Sequence, residues 1–420
     1  MHLEPSPDKF LLHNCRYTVK CSSENCKWRL HASIIEGGPQ CAIKKLNGIH
    51  CCAGIVRTGN KEACTRGLAK HTIDRFRDQP SLKPKDLIRD IHREKGVTIS
   101  YGLAWRAKEA AHSAIHGDHT EAYKKLEGYC EEILKTNPGS IAFVQRTSEG
   151  RFSRCFIAFN ASLKGFSYCR PVVGLDGTHL KGRYLGTLLS ATAIDGNDGL
   201  FPLAFAVVAA ENDDNWVWYL QCLKDCLHHS ERVTFISERQ KGLVEGVESV
   251  FGSGTPHAYC MWRLSENFRQ AFKSTQLAHL LWNAAHANNV EDYDDIMKEM
   301  HAANPQATTW ILAAANPIYW ANSKFIGQRY GHMTCNIAES LNSSLRELPV
   351  LAMLEMIRHK LMAWFSERRE EAHSLVIDAR EQAYLRLTSR IEEDVRKACE
   401  LGRSYRIIAK SDLEFEVLST

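Results

Sequence analysis

The stretch from residue 172 to 238 restricts the fold more than any other part of the chain. Val172-Val173-Gly174-Leu175 is an apolar run of strand length that hands the chain to Asp176. Residues 187–194 and 201–208 are two further apolar runs, joined by the turn composition Asp195-Gly196-Asn197-Asp198-Gly199. A helix then begins near Asp213-Asp214, with Trp216, Leu220, Leu223 and Leu227 recurring on one face. Val233-Thr234-Phe235-Ile236 is the next strand and ends at Ser237-Glu238. Upstream, residues 141–144 and 151–159 form a hairpin about Ser148-Glu149-Gly150.

Three strands, a helix and a strand, with acids at two strand ends, is the layout of a ribonuclease H-like α/β core. No G-x-G-x-x-G or phosphate-loop motif favours a nucleotide fold. Acids so placed have a chemical use. Phosphodiester transfer can employ two Mg²⁺ ions about 3.5–4 Å apart, and hard cations require converging oxygen ligands. From the residues alone, an Asp at a strand end is more often a turn or helix cap than a metal ligand.

Composition agrees with a folded chain: 44% hydrophobic and 24% charged residues exclude disordered and collagenous classes. No apolar run reaches the roughly 18 residues of a membrane span, and Met1-His2-Leu3-Glu4-Pro5-Ser6-Pro7 lacks a signal peptide's apolar core. A soluble, intracellular protein is expected. The net charge of +4 is unevenly spread. Residues 1–115 hold 20 Lys/Arg against 11 Asp/Glu, whereas residues 116–420 hold 33 against 38. A basic first quarter on an acidic body predicts a nucleic-acid surface at the N-terminal end.

Seven of the 15 cysteines fall in the first 64 residues, which in a reducing compartment points to metal. Cys21-x4-Cys26 and His50-x-Cys52 have the spacing of a Cys3His zinc site, with Cys51 as a competing fourth ligand. Strand-like stretches at residues 28–33 and 41–46 lie between the pairs, around the turn Glu36-Gly37-Gly38-Pro39. So small a module cannot bury a sufficient core, and bound zinc would contribute its folding energy. Residues 60–115 predict three helices. Leu68, Ile73 and Phe76 lie on the first, Pro84 opens the second, and Ser100 caps the third, with a turn at Lys95-Gly96-Val97. They fit a helix-turn-helix-like unit or a plain helical linker.

Two other clusters are read as structural. Cys222-x3-Cys226 has helical spacing and marks a packing face, and the run Ser366-Glu367-Arg368-Arg369-Glu370-Glu371 is a solvated helix face.

Longer motifs carry a resemblance. Cys21-x4-Cys26-x-Trp28-Arg29 followed by His50-x-Cys52 resembles the WRKY-like zinc DNA-binding domain of Mutator-like transposases. Val173-Gly174-Leu175-Asp176-Gly177-Thr178-His179, Tyr184 to Leu189, Ala193 to Asn197, Pro202 to Ala206 and Phe235 to Leu243 resemble the Mutator-like element (MULE) transposase domain. The block Arg329 to Asn342, followed by Arg346-Glu347-Leu348-Pro349, resembles that family's tail motif. The resemblance implies a ribonuclease H-like core with an all-α insertion at about 262–335, anchored by Trp282, Trp310 and Trp320. It also implies a triad of acids at Asp176, Glu238 and Glu339, and DNA contacts from Lys20, Lys27, Arg29, Lys44 and Lys45. Three positions depart from the pattern: Glu238 replaces an Asp, Arg263 replaces the His of Cys-x2-His, and Cys335 replaces a Ser. Glu is one methylene longer than Asp, and a misplacement of about 1 Å can cost around a hundredfold in rate.

The expected organisation is a zinc module (10–58), a helical linker (60–115), a ribonuclease H-like core (140–275), and the helical insertion with the C-terminal helical region (276–420). The family's C-terminal SWIM zinc finger has no counterpart before Thr420, so a chain trimmed at both ends is expected. The implied function is Mg²⁺- or Mn²⁺-dependent cleavage and transfer of double-stranded DNA at terminal inverted repeats, with structural zinc, in the nucleus, without a membrane, and compatible with a homo-oligomer. The alternative is a domesticated DNA-binding or transcriptional regulator that keeps the fold without the chemistry.

Overall fold

The structure of the protein, a computed structural model, describes residues 16–21, 26–35, 41–49, 65–79, 82–95, 97–227, 233–239, 241–335, 345–382, 387–409, 411 and 414–419. The chain divides into two compact units, Met1–Ile115 and His116–Thr420.

In the first unit, β1 (Arg16–Lys20), β2 (Arg29–Ile34) and β3 (Cys41–Asn47) form an antiparallel sheet in that order. Cross-strand partners share a face, so the register places Lys20, Arg29 and Asn47 on one side together with Thr18, His31 and Lys45. Val19, Leu30 and Leu46 take the other side. Lys44 is the extra residue of a bulge, since His31 pairs with Lys45 and Ala32 with Ile43.

Three helices follow: α1 (Thr65–Asp78), α2 (Pro84–Lys95) and α3 (Tyr101–His116). Pro84 fits the first turn of α2, where its missing N–H costs nothing. Ser100 accepts the Leu103 N–H at 3.3 Å and so caps α3. Phe76, Leu87, Ile91 and Ile99 pack against Ala104, Ala107 and Ala111, whose small side chains lie in a row along α3. Arg75 of α1 reaches Glu94 of α2 at 3.0 Å and Asp90 at 3.6 Å. Gly96, in the expected turn, lies outside the described residues.

The second unit is built on a seven-stranded sheet of order β10-β9-β6-β7-β8-β5-β4. Its strands are β4 (Ile141–Arg146), β5 (Phe152–Ala158), β6 (Arg170–His179), β7 (Thr187–Ile194), β8 (Leu200–Val208), β9 (Thr234–Ser237) and β10 (His257–Tyr259). β4 through β8 pair antiparallel, whereas β9 runs parallel to β6 and β10 parallel to β9. Every residue of β7 is buried, as a central strand covered on both faces requires. One face is covered by α6 (Asn160–Phe166), α7 (Asp213–Cys226) and α8 (Lys241–Phe251), through Trp216, Tyr219, Leu223 and Val247. The other is covered by α4 (His119–Lys124), α5 (Leu126–Thr136) and α13 (Val350–Gln382), through Leu126, Ile133, Leu354 and Ile357. Full burial of each such side chain stabilises by about 1.5–3 kcal/mol relative to exposure.

The all-α part consists of α9 (Met261–Phe272), α10 (Thr275–His286), α11 (Val290–Ala303) and α12 (Pro305–Ala314), with a core of its own. Trp320 is fully buried there and donates its indole N–H to the Ala315 carbonyl at 3.1 Å, while Trp282 and Trp310 pack half-buried. The excursion starts and finishes at one place. Cys260 N–H donates to the Ser237 carbonyl at 2.8 Å, Met261 N–H to the Met333 carbonyl at 2.8 Å, and Cys335 N–H to the Cys260 sulfur at 3.3 Å. Helix α14 (Ser389–Gly402) and a hairpin of β11 (Tyr405–Ala409) with β12 (Phe415–Ser419) follow.

Two expectations are corrected. Asp176 is inside β6, not at its end, because Gly177, Thr178 and His179 continue the ladder against Leu189, Leu188 and Thr187. The charged run on α13 is more than a solvated face. Arg368 Nε lies 3.0 Å from Asp195 Oδ2, its guanidinium donates to the Leu200 carbonyl, and Glu371 accepts from Asn197 Nδ2 at 3.0 Å. The β7–β8 turn presents a carboxylate and a carbonyl to that side of the helix, which draws the cation inward.

Candidate active site

Asp176 projects from β6 on the same face as Val172 and is 3% exposed. The Thr178 hydroxyl, two residues on and hence on that face, donates to Asp176 Oδ2 at 3.0 Å. Ser190, its cross-strand partner on β7, donates to the Asp176 carbonyl at 3.4 Å. The β6–β9 register pairs Val172 with Thr234 and Leu175 with Ser237. One further step sets Glu238 against Asp176, on neighbouring chains spaced about 4.8 Å apart. The two acids thus each follow directly on the last β6–β9 pair, and Asp176 is near enough to add to the upward shift of the Glu238 carboxyl.

Glu238 is held from the other side. Its Oε1 lies 2.6 Å from Arg263 Nε, in the first turn of α9, and the Arg263 guanidinium stacks 5.1 Å from the centre of the Trp262 ring. Burial pushes the Glu238 carboxyl above the usual carboxylate range; Arg263 opposes the shift, and the like charges of Asp176 and Glu211 reinforce it.

Glu211 is an acid that sequence reasoning missed. It follows β8 and approaches β6 from the α7 face. A Cβ on Gly177 would collide with its carboxylate. The Trp216 indole donates to Glu211 Oε1 at 3.3 Å, and His179 Nε2 stands 3.8 Å from Oε2. The available signal was the glycine directly after Asp176, where only a missing side chain leaves room for this carboxylate.

Ser237 and His257 support the floor of the site. The Ser237 hydroxyl bonds His257 Nε2 at 2.7 Å, and burial lowers the His257 imidazole to about 4. Cys260 and Cys335 lie against each other. The Cys335 thiol and backbone N–H groups aimed at the Cys260 sulfur lower its pKa to about 7, whereas Cys335 is raised by its bond to Cys260 and by burial, with smaller contributions from Asp176 and Glu238. Cys335 therefore sits in the field of both acids. Glu339 lies outside the described residues.

In the first unit, Cys21 and Cys26 are half-buried in the β1–β2 connection, where Cys21 N–H donates to the Trp28 carbonyl at 3.0 Å. His50, Cys51 and Cys52 lie outside the described residues. Lys20, Arg29 and Lys45 share one sheet face and are exposed, as are Lys27 beyond the strands and Lys44 in the bulge. Among the described residues, no group of three or more His, Cys, Asp or Glu side chains is assembled to hold a metal ion. Cys222 and Cys226 are thiols raised by burial to about 11 and about 12, and the Cys226 thiol donates to the Cys222 carbonyl, as a packing face requires.

Residues 172–267 match the family model of the MULE transposase domain, a span that takes in Asp176, Glu211, Glu238 and Arg263. The match supports a place in the MULE transposase family. No curated protein matches the chain. Among the described residues, no helix is long and apolar enough to cross a membrane.

Proposed function

We propose that the protein is a Mutator-like transposase that binds double-stranded DNA at terminal inverted repeats in the nucleus. It cleaves and transfers DNA strands in a reaction dependent on a divalent cation. The observation that carries this reading is the β6–β9 register, whose last pair, Leu175 with Ser237, directly precedes Asp176 and Glu238, inside the segment that matches the transposase domain. Two parallel strands, β9 and β10, beside the antiparallel β6-β7-β8 run, with one carboxylate on β6 and one just after β9, support a ribonuclease H-like core.

Asp176 is a hard oxygen donor of the kind Mg²⁺ or Mn²⁺ takes, and Glu238 and Glu339 are the other carboxylates the triad would bring to the site. When bound, such a cation polarises the scissile phosphate and activates a hydroxyl or water for attack. The protein's own contribution is to hold the carboxylates rigidly. Thr178 fixes the Asp176 carboxylate, and β6 is buried through most of its length, with Val172 packed against Ile194, Ile236, Cys260 and Cys335. In the first unit, zinc held by Cys21, Cys26, His50 and Cys52 would brace the sheet, leaving the Lys20, Arg29 and Lys45 face for phosphates, with Lys27 and Lys44 at its margins.

The test is cleavage of inverted-repeat DNA with Mg²⁺ or Mn²⁺, comparing the native chain with Asp176→Asn. Loss of cleavage by at least about a hundredfold, with DNA affinity kept within about threefold, is expected. A native chain that binds this DNA but never cuts it sinks the reading.

A further inference from the structure

The Glu238–Arg263 pair bears on how many cations the site takes. Glu238 has a partner in place without any metal: Arg263 Nε at 2.6 Å. That contact is built in. Cys260 N–H to the Ser237 carbonyl fixes the start of α9 beside the end of β9, so Arg263 emerges from the first helical turn directly at Glu238. Trp262 flanks the guanidinium on one side. The pair stands at the mouth of the site, with Arg263 42% and Glu238 34% exposed, so an anion from solvent can reach it.

The charges constrain occupancy. Two divalent cations carry four positive charges, and Arg263 already supplies one beside Glu238. A second divalent ion there would have to break a close ion pair and remain next to a guanidinium, which carries its charge permanently. One divalent ion at Asp176 needs neither. A guanidinium is planar, permanently charged and matched to two phosphate oxygens at once, so it can do for the phosphodiester what a second cation does.

Resting on the transposase reading, we infer that the site takes a single divalent cation, held by Asp176. Arg263 occupies the second cation's place and contacts the scissile phosphate. Glu238 then acts as a positioning residue: it aims Arg263 instead of ligating metal.

The experiment counts Mn²⁺ ions bound to the zinc-loaded full chain by electron paramagnetic resonance, taking as the site's own the ions that Asp176→Asn removes. One such ion is expected in the native chain, and Glu238→Gln leaves it in place. Arg263→Gln gains a second ion, which the double variant with Glu238→Gln loses again. Arg263→Lys keeps the charge and stays at one, which guards against a folding defect in the Gln variant; circular dichroism melts of all variants accompany the counts. In Ca²⁺, which supports binding without turnover, Arg263→Gln weakens affinity for a short phosphodiester duplex by about tenfold, and Arg263→Lys by less than threefold. A second ion in the native chain that Glu238→Gln removes would overturn the inference and leave the transposase reading standing. So would an Arg263→Gln chain that still binds one. If Asp176→Asn removes no ion at all, the transposase reading itself fails.

Discussion

Glu211 fills the space that a side chain on Gly177 would need, directly behind the backbone that carries Asp176. Gly177→Ala therefore forces the carboxylate aside or bends β6. Overpacking of this kind costs about 1–3 kcal/mol. The expected outcome is destabilisation in that range by urea unfolding, with a smaller penalty when Gly177→Ala is combined with Glu211→Ala. Equal penalties in both backgrounds would show that the two positions are not coupled.

His257 makes stability sensitive to mild acid. Its folded pKa is about 4 against 6.5 for the free side chain, so the unfolded chain takes up a proton first as pH falls. The His257 contribution is level above about pH 7, declines as pH drops below 6.5, and is exhausted near pH 4. Between pH 7 and pH 5 the loss is about 2 kcal/mol. Urea melts of the native chain and His257→Gln at the two pH values measure it. The variant should lose about 2 kcal/mol less than the native chain over this interval, whatever its stability at pH 7.

Arg368→Ala should destabilise the second unit by about 1–3 kcal/mol, the range for loss of a charge-assisted bond to a shielded carboxylate. Arg369, its exposed neighbour, should change stability by less than about 0.5 kcal/mol when replaced by Ala. Thermal melts of the two variants side by side decide whether the run is structurally uniform.

Zinc is expected at one equivalent per chain, lost on Cys21→Ser or Cys26→Ser and retained on Cys226→Ser. Metal analysis of the purified variants checks this. Chelation should abolish binding to inverted-repeat DNA while leaving the melting of the second unit unchanged.

The legibility of this chain follows a physical divide. Strands such as β7 and β8 are apolar along their whole length because both faces are covered, so their existence and order could be read from composition and turn residues. The closeness of Asp176 and Glu238 was implied by the family motif, but its cause is the β6–β9 register, and pairing between strands distant in sequence leaves no local trace. The inward turn of Arg368 and the approach of Glu211 to Gly177 were hidden for the same reason. Each depends on a partner that only the fold brings near. Arg263 stood out in the sequence as a departure from a pattern; that it grips Glu238 required the geometry of α9.

The hydrogen bond from Met261 to Met333 has an evolutionary reading. Because the chain departs and re-enters at one spot, the helices between are a pendant on the sheet, and their length adds nothing to the span the sheet must bridge. Closing a longer excursion costs only a fraction of a kcal/mol more for each doubling. Such a pendant can be enlarged, pruned or exchanged while the strands beneath keep their alignment, so novelty in what this protein grasps can accumulate without disturbing where its acids stand.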